Sequence, residues 1–107
     1  MFMLSQSVLL NLNVLWRRVM AKVVIYSKEY CPFCKAVKAL FDSLDQAYEN
    51  IDIADHPERR DEMIEKANGR TTVPQVFVNG RHLGGNDDVQ ALHKKGQLQP
   101  LLYAEDA

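Results

Sequence analysis

Hydrophobic and polar positions change period several times along the chain, and each change marks an element. Val23-Val24-Ile25-Tyr26 is a short continuous apolar run, the pattern of a buried strand over 22–26. From Pro32 the apolar residues Val37, Leu40, Phe41 and Leu44 recur at helical spacing, which predicts a helix over 32–45 with Ser27 to Tyr30 as the turn before it. Ala47 to Ile53 alternates enough for a second strand, and the connection is long enough for a parallel crossover, so the first half reads as a βαβ unit. A second helix is expected from Asp55-His56-Pro57-Glu58, with Asp55 or His56 as its cap and Pro57 in its first turn. It carries Met63, Ile64 and Ala67 and stops at Asn68-Gly69. Gln75 to Asn79 and Arg81 to Gly84 flank Asn79-Gly80, a strong hairpin signal. Asn86 is expected to cap a third helix, with Asp87 and Asp88 in its first turn, Val89 and Leu92 inward and Gly96 beyond its end. The order β-α-β-α-β-β-α describes an α/β domain with a small mixed four-stranded sheet covered by helices.

A chain of 107 residues holds one domain, which we place over residues 21–107. Residues 1–20 differ from it: they contain no acid and only Arg17 and Arg18 as charges. The apolar stretch from Val8 to Trp16 is broken by Asn11 and Asn13 and is too short to span a bilayer. It also fails as a signal peptide, because its positive charges follow the apolar run. Leu9, Leu12, Trp16 and Val19 would share a helix face, so three readings stay open: a non-functional or disordered extension upstream of a start at Met20, a targeting or membrane-surface segment, or a helix packed on the domain or a partner. The net charge of −1, spread in mixed sign, argues against a nucleic-acid surface.

The chemistry lies in Cys31-Pro32-Phe33-Cys34, which holds the only two cysteines. Two cysteines at this spacing are too few and too close for a secreted disulfide framework, so the expected setting is a reducing compartment and a redox role. Cys31 falls where the strand pattern gives way to the helix pattern. At that helix start, unpaired N–H groups and the helix dipole favour a thiolate, while Pro32 suits the first helical position and Cys34 stands one turn further in. Half of a zinc site and an inert buried pair are the alternatives to redox chemistry, but zinc needs about four ligands, and His56, His82 and His93 are scattered and expected to be solvated or capping. No metal is expected. Arg59-Arg60 and His93-Lys94-Lys95 read as exposed helix faces.

Three motifs in order, Lys28-Glu29-Tyr30-Cys31-Pro32-Phe33-Cys34, Arg70-Thr71-Thr72-Val73-Pro74-Gln75 and Gly84-Gly85-Asn86-Asp87-Asp88, resemble the glutaredoxins, most closely the small bacterial dithiol type, over about Ala21 to Leu102. The resemblance implies a thioredoxin-like fold with helices on both faces of the sheet, glutathione as the reducing co-substrate, and a cis peptide before Pro74. It implies Cys31 as nucleophile and Cys34 as resolving thiol. Thr72, Val73 and Pro74 would hold the cysteinyl part of glutathione, and Gly85, Asn86 and Asp87 its γ-glutamyl end. Lys28 would stabilise the thiolate or attract the glycyl carboxylate, and Arg70 stands where it could do the latter. Phe33 replaces the tyrosine usual in the family, which keeps a ring contact and removes the hydroxyl. Asn86 stands where many relatives have a third cysteine.

The expected protein is thus a cytoplasmic, monomeric glutathione-disulfide oxidoreductase acting on disulfide-bonded or glutathionylated proteins, without nucleic acid or membrane as partner. Two alternatives stay open. One is a thioredoxin-like protein reduced by a flavin reductase, although Trp-Cys-Gly-Pro-Cys is absent. The other is a carrier in which Cys31 of two chains and two glutathiones hold an iron–sulfur cluster.

Overall fold

The computed structural model describes residues 21–103, and the N-terminal extension over residues 1–20 lies outside the described residues. Four strands, β1 (Val23–Ser27), β2 (Glu49–Asp52), β3 (Gln75–Val78) and β4 (Arg81–Gly84), and four helices, α1 (Pro32–Ser43), α2 (Glu58–Lys66), α3 (Asn86–Lys94) and α4 (Leu98–Tyr103), follow in the order β1-α1-β2-α2-β3-β4-α3-α4. They form one sheet in the order β2-β1-β3-β4. β1 runs parallel to β2, with Ile25 beside Asn50, and antiparallel to β3, with Ile25 beside Val76. The parallel pair and its α1 crossover are the expected βαβ unit. Asn79 and Gly80, both at positive φ (51° and 81°), make the tight turn between β3 and β4.

The period-two pattern of β1 and β3 divides the core into two layers. Val23, Ile25, Val76 and Val78 face α1, α3 and α4 through Val37, Phe41, Val89, Leu98 and Leu102. Tyr26 and Phe77 point the other way, where Ile51, Ile53, Met63 of α2 and Ala67 just past its end close over them. Helices therefore cover both faces, as expected. On the α2 side Tyr26 donates to Glu62, which also accepts from the Arg59 guanidinium, Nη2 to Oε2 at 2.9 Å. Burial first, then Glu62, pushes the Tyr26 hydroxyl up to about 12. Arg59 thus braces the helix against the sheet rather than lying on a freely exposed face.

Two expectations about helix starts need correction, and one helix is additional to the expected elements. Neither Asp55 nor His56 caps α2. The chain leaves β2 through a turn in which Asp52 accepts the N–H groups of Ala54 (2.8 Å) and Asp55 (3.1 Å), and Pro57 occupies the cap position without a side-chain bond. The cap of α3 is Gly85 and Asn86 is its first helical residue, because Asp88 three positions on accepts the Gly85 N–H at 2.9 Å. Helix α4 was not expected. It is only six residues long and begins with Leu-Gln-Pro, yet Leu98 and Leu102, four apart, bring its one apolar face into the larger core layer.

Phe41 is fully buried in that layer and its ring also meets Tyr48 at 6.3 Å. Phe41→Ala should therefore cost about 3–5 kcal/mol of unfolding free energy, seen as a lowered urea midpoint with an unchanged denaturant slope.

Candidate active site

β1 ends in the sheet and delivers the chain to α1 within four residues, and Cys31 occupies the cap of that helix in an extended conformation (φ −101°, ψ 114°). Its sulfur accepts the backbone N–H of Cys34 at 3.3 Å, in the way a cap serine or aspartate would. Pro32 sits in the first turn, where its lack of an N–H leaves no acceptor unfilled. Both thiols are free; Cys31 is partly exposed and Cys34 fully buried.

The two sulfurs are held in opposite states. Burial opposes ionisation of Cys31, but hydrogen bonds from the Cys34 thiol and from the N–H groups of Cys34 and Phe33, together with the charge of Lys28, hold its pKa below that of an ordinary cysteine. For Cys34, burial first and then the hydrogen bond to Cys31 push the thiol up to about 12. One group is prepared to be a thiolate and the other a proton-bearing donor to it.

Beside Cys31 lies a groove of about 270 Å³. Three separate pieces of chain build it: Phe33 from α1, Thr72, Val73 and Pro74 from the loop before β3, and Gly85, Asn86 and Asp87 from the start of α3. The Val73–Pro74 peptide is cis, as expected, and the Val73 carbonyl accepts from the Cys31 thiol at 3.8 Å. Gly85 lies against the Pro74 carbonyl, which a Cβ there would approach to 3.3 Å. These are seven of the eight residues proposed from sequence for a glutathione site, and the fold brings the seven together.

Lys28 is placed differently. It lines a neighbouring hollow of about 250 Å³ with Glu29, Tyr30, Cys31 and the acids Asp52 and Asp55, because the turn after β1 passes on the β2 side of Cys31. It acts on the thiolate through its charge but is not in the Thr72–Asp87 groove. The cation there is Arg70, whose Nη1 meets Asp88 Oδ2 at 2.9 Å. Arg70 first, then the Gly85 N–H, holds the Asp88 carboxyl below the usual range. The sequence shows Asp88 as a first-turn acid and the last residue of the third motif, and its place three residues after Gly85 is the signal for the bond back to that N–H. Two large side chains near Cys31 stand in solvent, Phe33 at 60% and Tyr30 at 87% exposure, and Tyr30, a member of the first motif, is not among the residues proposed for the site. His82 is neither solvated nor a cap: it is half-buried, stacked on Phe77 and bonded to Gln75. Among the described residues no group of three or more His, Cys, Asp and Glu could hold a metal ion, and no helix is long and apolar enough to cross a membrane.

A family model described as Glutaredoxin matches residues 23–83. Glutaredoxin 3 of Escherichia coli strain K12 is 48% identical over 83 residues, covering 78% of this chain and 99% of that protein. A Caenorhabditis elegans protein named as an uncharacterized monothiol glutaredoxin is 42% identical over 84 residues, covering 76% of this chain and 58% of that one. The crystal structure of a buckwheat glutaredoxin–glutathione complex superposes with a TM-score of 0.71 at 36% identity, covering 81% of each chain.

The environment of Cys31 predicts its alkylation profile. Its rate of reaction with iodoacetamide should rise through a midpoint below the free-thiol value of about 8.5, while Cys34 stays unmodified in the folded protein. Lys28→Met should move the midpoint upward, since loss of a cation favours the neutral thiol. A midpoint at the free-thiol value would contradict the geometry.

Proposed function

The chain belongs to the glutaredoxin family, and from that premise we propose that it is a glutathione-dependent thiol–disulfide oxidoreductase that reduces protein–glutathione mixed disulfides and protein disulfides. The observation that carries this reading is a helix-cap sulfur, bonded to the Cys34 N–H at 3.3 Å, that lies 3.8 Å from the carbonyl of Val73, one of the residues lining a groove made by the Thr72–Pro74 loop and the start of α3. Glutathione has two carboxylates, one ammonium and an extended peptide between them. The groove supplies a match for each part: Arg70 for a carboxylate, the Val73 backbone for the cysteinyl peptide, and the α3 start with Asp87 for the γ-glutamyl carboxylate and ammonium. Asp88 is neutralised by Arg70, whereas Asp87 has no ion-pair partner among the described residues and is left for the ligand. Thr72, Pro74, Gly85, Asn86 and the exposed Phe33 ring complete the lining.

In deglutathionylation the Cys31 thiolate attacks the glutathionyl sulfur, the protein leaves as its thiolate, and Cys31 carries the glutathione as a mixed disulfide. A second glutathione thiolate attacks that sulfur, forming glutathione disulfide and restoring the Cys31 thiolate. With a protein disulfide, Cys31 first becomes bonded to one target sulfur and the other leaves. Cys34 then gives up its proton and attacks Cys31, releasing the reduced target and closing the Cys31–Cys34 disulfide, which two glutathiones reopen. Once Cys31 is in a mixed disulfide it no longer bears the negative charge that contributes to raising Cys34, so the resolving thiol becomes easier to ionise at the step that needs it.

A coupled assay with glutathione, glutathione reductase and NADPH on a glutathionylated peptide tests the class, and no turnover would overturn it. Cys31→Ser should abolish turnover with every substrate. Cys34→Ser should keep deglutathionylation and lose most protein-disulfide reduction, because glutathione can resolve a small mixed disulfide more easily than one shielded by a target protein. Equal loss of the two activities in Cys34→Ser would contradict the assigned roles. Asp87→Ala should raise KM for the glutathionylated peptide about fivefold, the size of one exposed charge-assisted hydrogen bond; an unchanged KM would remove Asp87 from the site.

A further inference from the structure

Gln75 is a fully buried polar side chain, and its hydrogen bonds lead from the sheet to the active-site loop. Its Nε2 donates to the Thr72 carbonyl at 2.9 Å and to the Thr72 hydroxyl at 3.2 Å. Its Oε1 lies 2.7 Å from His82 Nε2. A backbone carbonyl can only accept, so the NH2 end of the Gln75 amide must face Thr72 and the oxygen must face His82. An amide oxygen also only accepts. His82 Nε2 therefore carries a hydrogen and donates it.

The imidazole is itself held in place. His82 is paired across the hairpin with Phe77 and stacks on its ring, with centroids 5.0 Å apart and planes 33° from parallel. Phe77 is buried and meets Tyr26 edge-on at 5.6 Å. Burial, and after it the charge of Arg70, keep the His82 pKa below that of an ordinary histidine against the opposing pull of Asp88, which favours a neutral ring with its one hydrogen on Nε2. The relay thus runs from the sheet through Phe77, His82 and Gln75 to Thr72, the residue before the Val73 carbonyl that faces Cys31.

We propose that His82 and Gln75 are positioning residues for substrate binding: the hydrogen bond from His82 orients the Gln75 amide, which holds Thr72 so that the Val73 backbone presents itself to the cysteinyl part of glutathione. This rests on the glutathione reading above. Neither residue lines the groove, so both act through Thr72 and Val73 rather than on the ligand.

The test compares His82→Leu, which keeps an apolar contact with Phe77 but has no donor, with His82→Gln, whose Nε2 stands as many bonds from Cβ as the imidazole Nε2 does. His82→Leu should raise KM for a glutathionylated peptide about threefold to tenfold, the effect of losing one hydrogen bond. His82→Gln should return it to within about twofold of the parent value. The pH midpoint of Cys31 alkylation should stay close to the parent value in both variants, since the Cys34 thiol, the Cys34 and Phe33 N–H groups and Lys28, which hold the thiolate, are untouched. In NMR spectra of the free protein the Thr72 and Val73 amide signals should move in His82→Leu and return in His82→Gln. An unchanged KM in His82→Leu, or a His82→Gln variant as impaired as His82→Leu, overturns the proposal. Failure of the parent protein to turn over the peptide overturns the glutathione reading, and this inference with it. The two failures are distinguished by whether the parent protein is active.

Discussion

Cys31 fills a position that serine, threonine or aspartate usually takes, and the site follows from that substitution of sulfur for oxygen. A helix cap must accept an N–H that no carbonyl can reach, and here the acceptor is a thiol sulfur receiving the Cys34 N–H. An acceptor that is rewarded for negative charge is a better acceptor as a thiolate. The requirement to close the helix start and the requirement to ionise the nucleophile are therefore one requirement. Cys34, one turn on and sealed in the core, lives under the opposite rule: burial and the neighbouring sulfur both favour its protonated form. A two-residue spacer is short enough for the sulfurs to exchange a disulfide and long enough to put one at the helix mouth and the other inside.

That cap works only if α1 starts where β1 releases the chain, and the core decides this. Val37, Leu40 and Phe41 lock α1 onto Val23, Ile25, Val76 and Val78 of the central strands, so the helix cannot slide without opening the larger core layer. The same two strands position the rest of the site. β3 follows directly from Pro74, so the antiparallel register of Tyr26 with Gln75 brings the Thr72–Pro74 loop beside the end of β1 and hence beside Cys31. β4 lies on the far side of β3 and delivers Gly84 and Gly85 to the opposite edge of the groove. Gly84 is at φ 117°, and a Cβ there would collide with the Asp88 carboxylate. Only glycine lets that carboxylate fold back to hold the Gly85 N–H and Arg70 together.

What could be read from the chain beforehand was what local pattern determines. The β1 run, the α1 periodicity and Asn79-Gly80 place three strands and the nucleophile with small errors at the ends, and the three resembling motifs name the groove. Long-range partners were harder to see. That Arg70 pairs with Asp88, eighteen residues away, depends on β4 returning past the Thr72 loop, which no local spacing states. Lys28 could be assigned to the thiolate from its nearness in sequence, but which side of Cys31 it occupies is settled by the path of the turn along β2. Helix α4 escaped because six residues with a proline give too little periodicity, and its two leucines matter only once the core layer they complete is known.

His82 shows why a histidine's role is hard to infer from its neighbours in sequence. Arg81 and Leu83 carry no sign of a buried partner. The strand register sets His82 opposite Phe77, and the shift in pairing between Val76 and Phe77 separates that pair from the next one at Gly84. The ring then has an aromatic face beneath it and a buried amide at its tip, and an amide whose other end is already committed to Thr72 admits only a donor. Each polar group along this path is satisfied by the next, so the edge of the sheet and the loop facing Cys31 form one hydrogen-bonded unit. In a low-dielectric interior, a break anywhere along it would leave a buried donor or acceptor without a partner. The loop is held by that penalty at a distance from its own sequence.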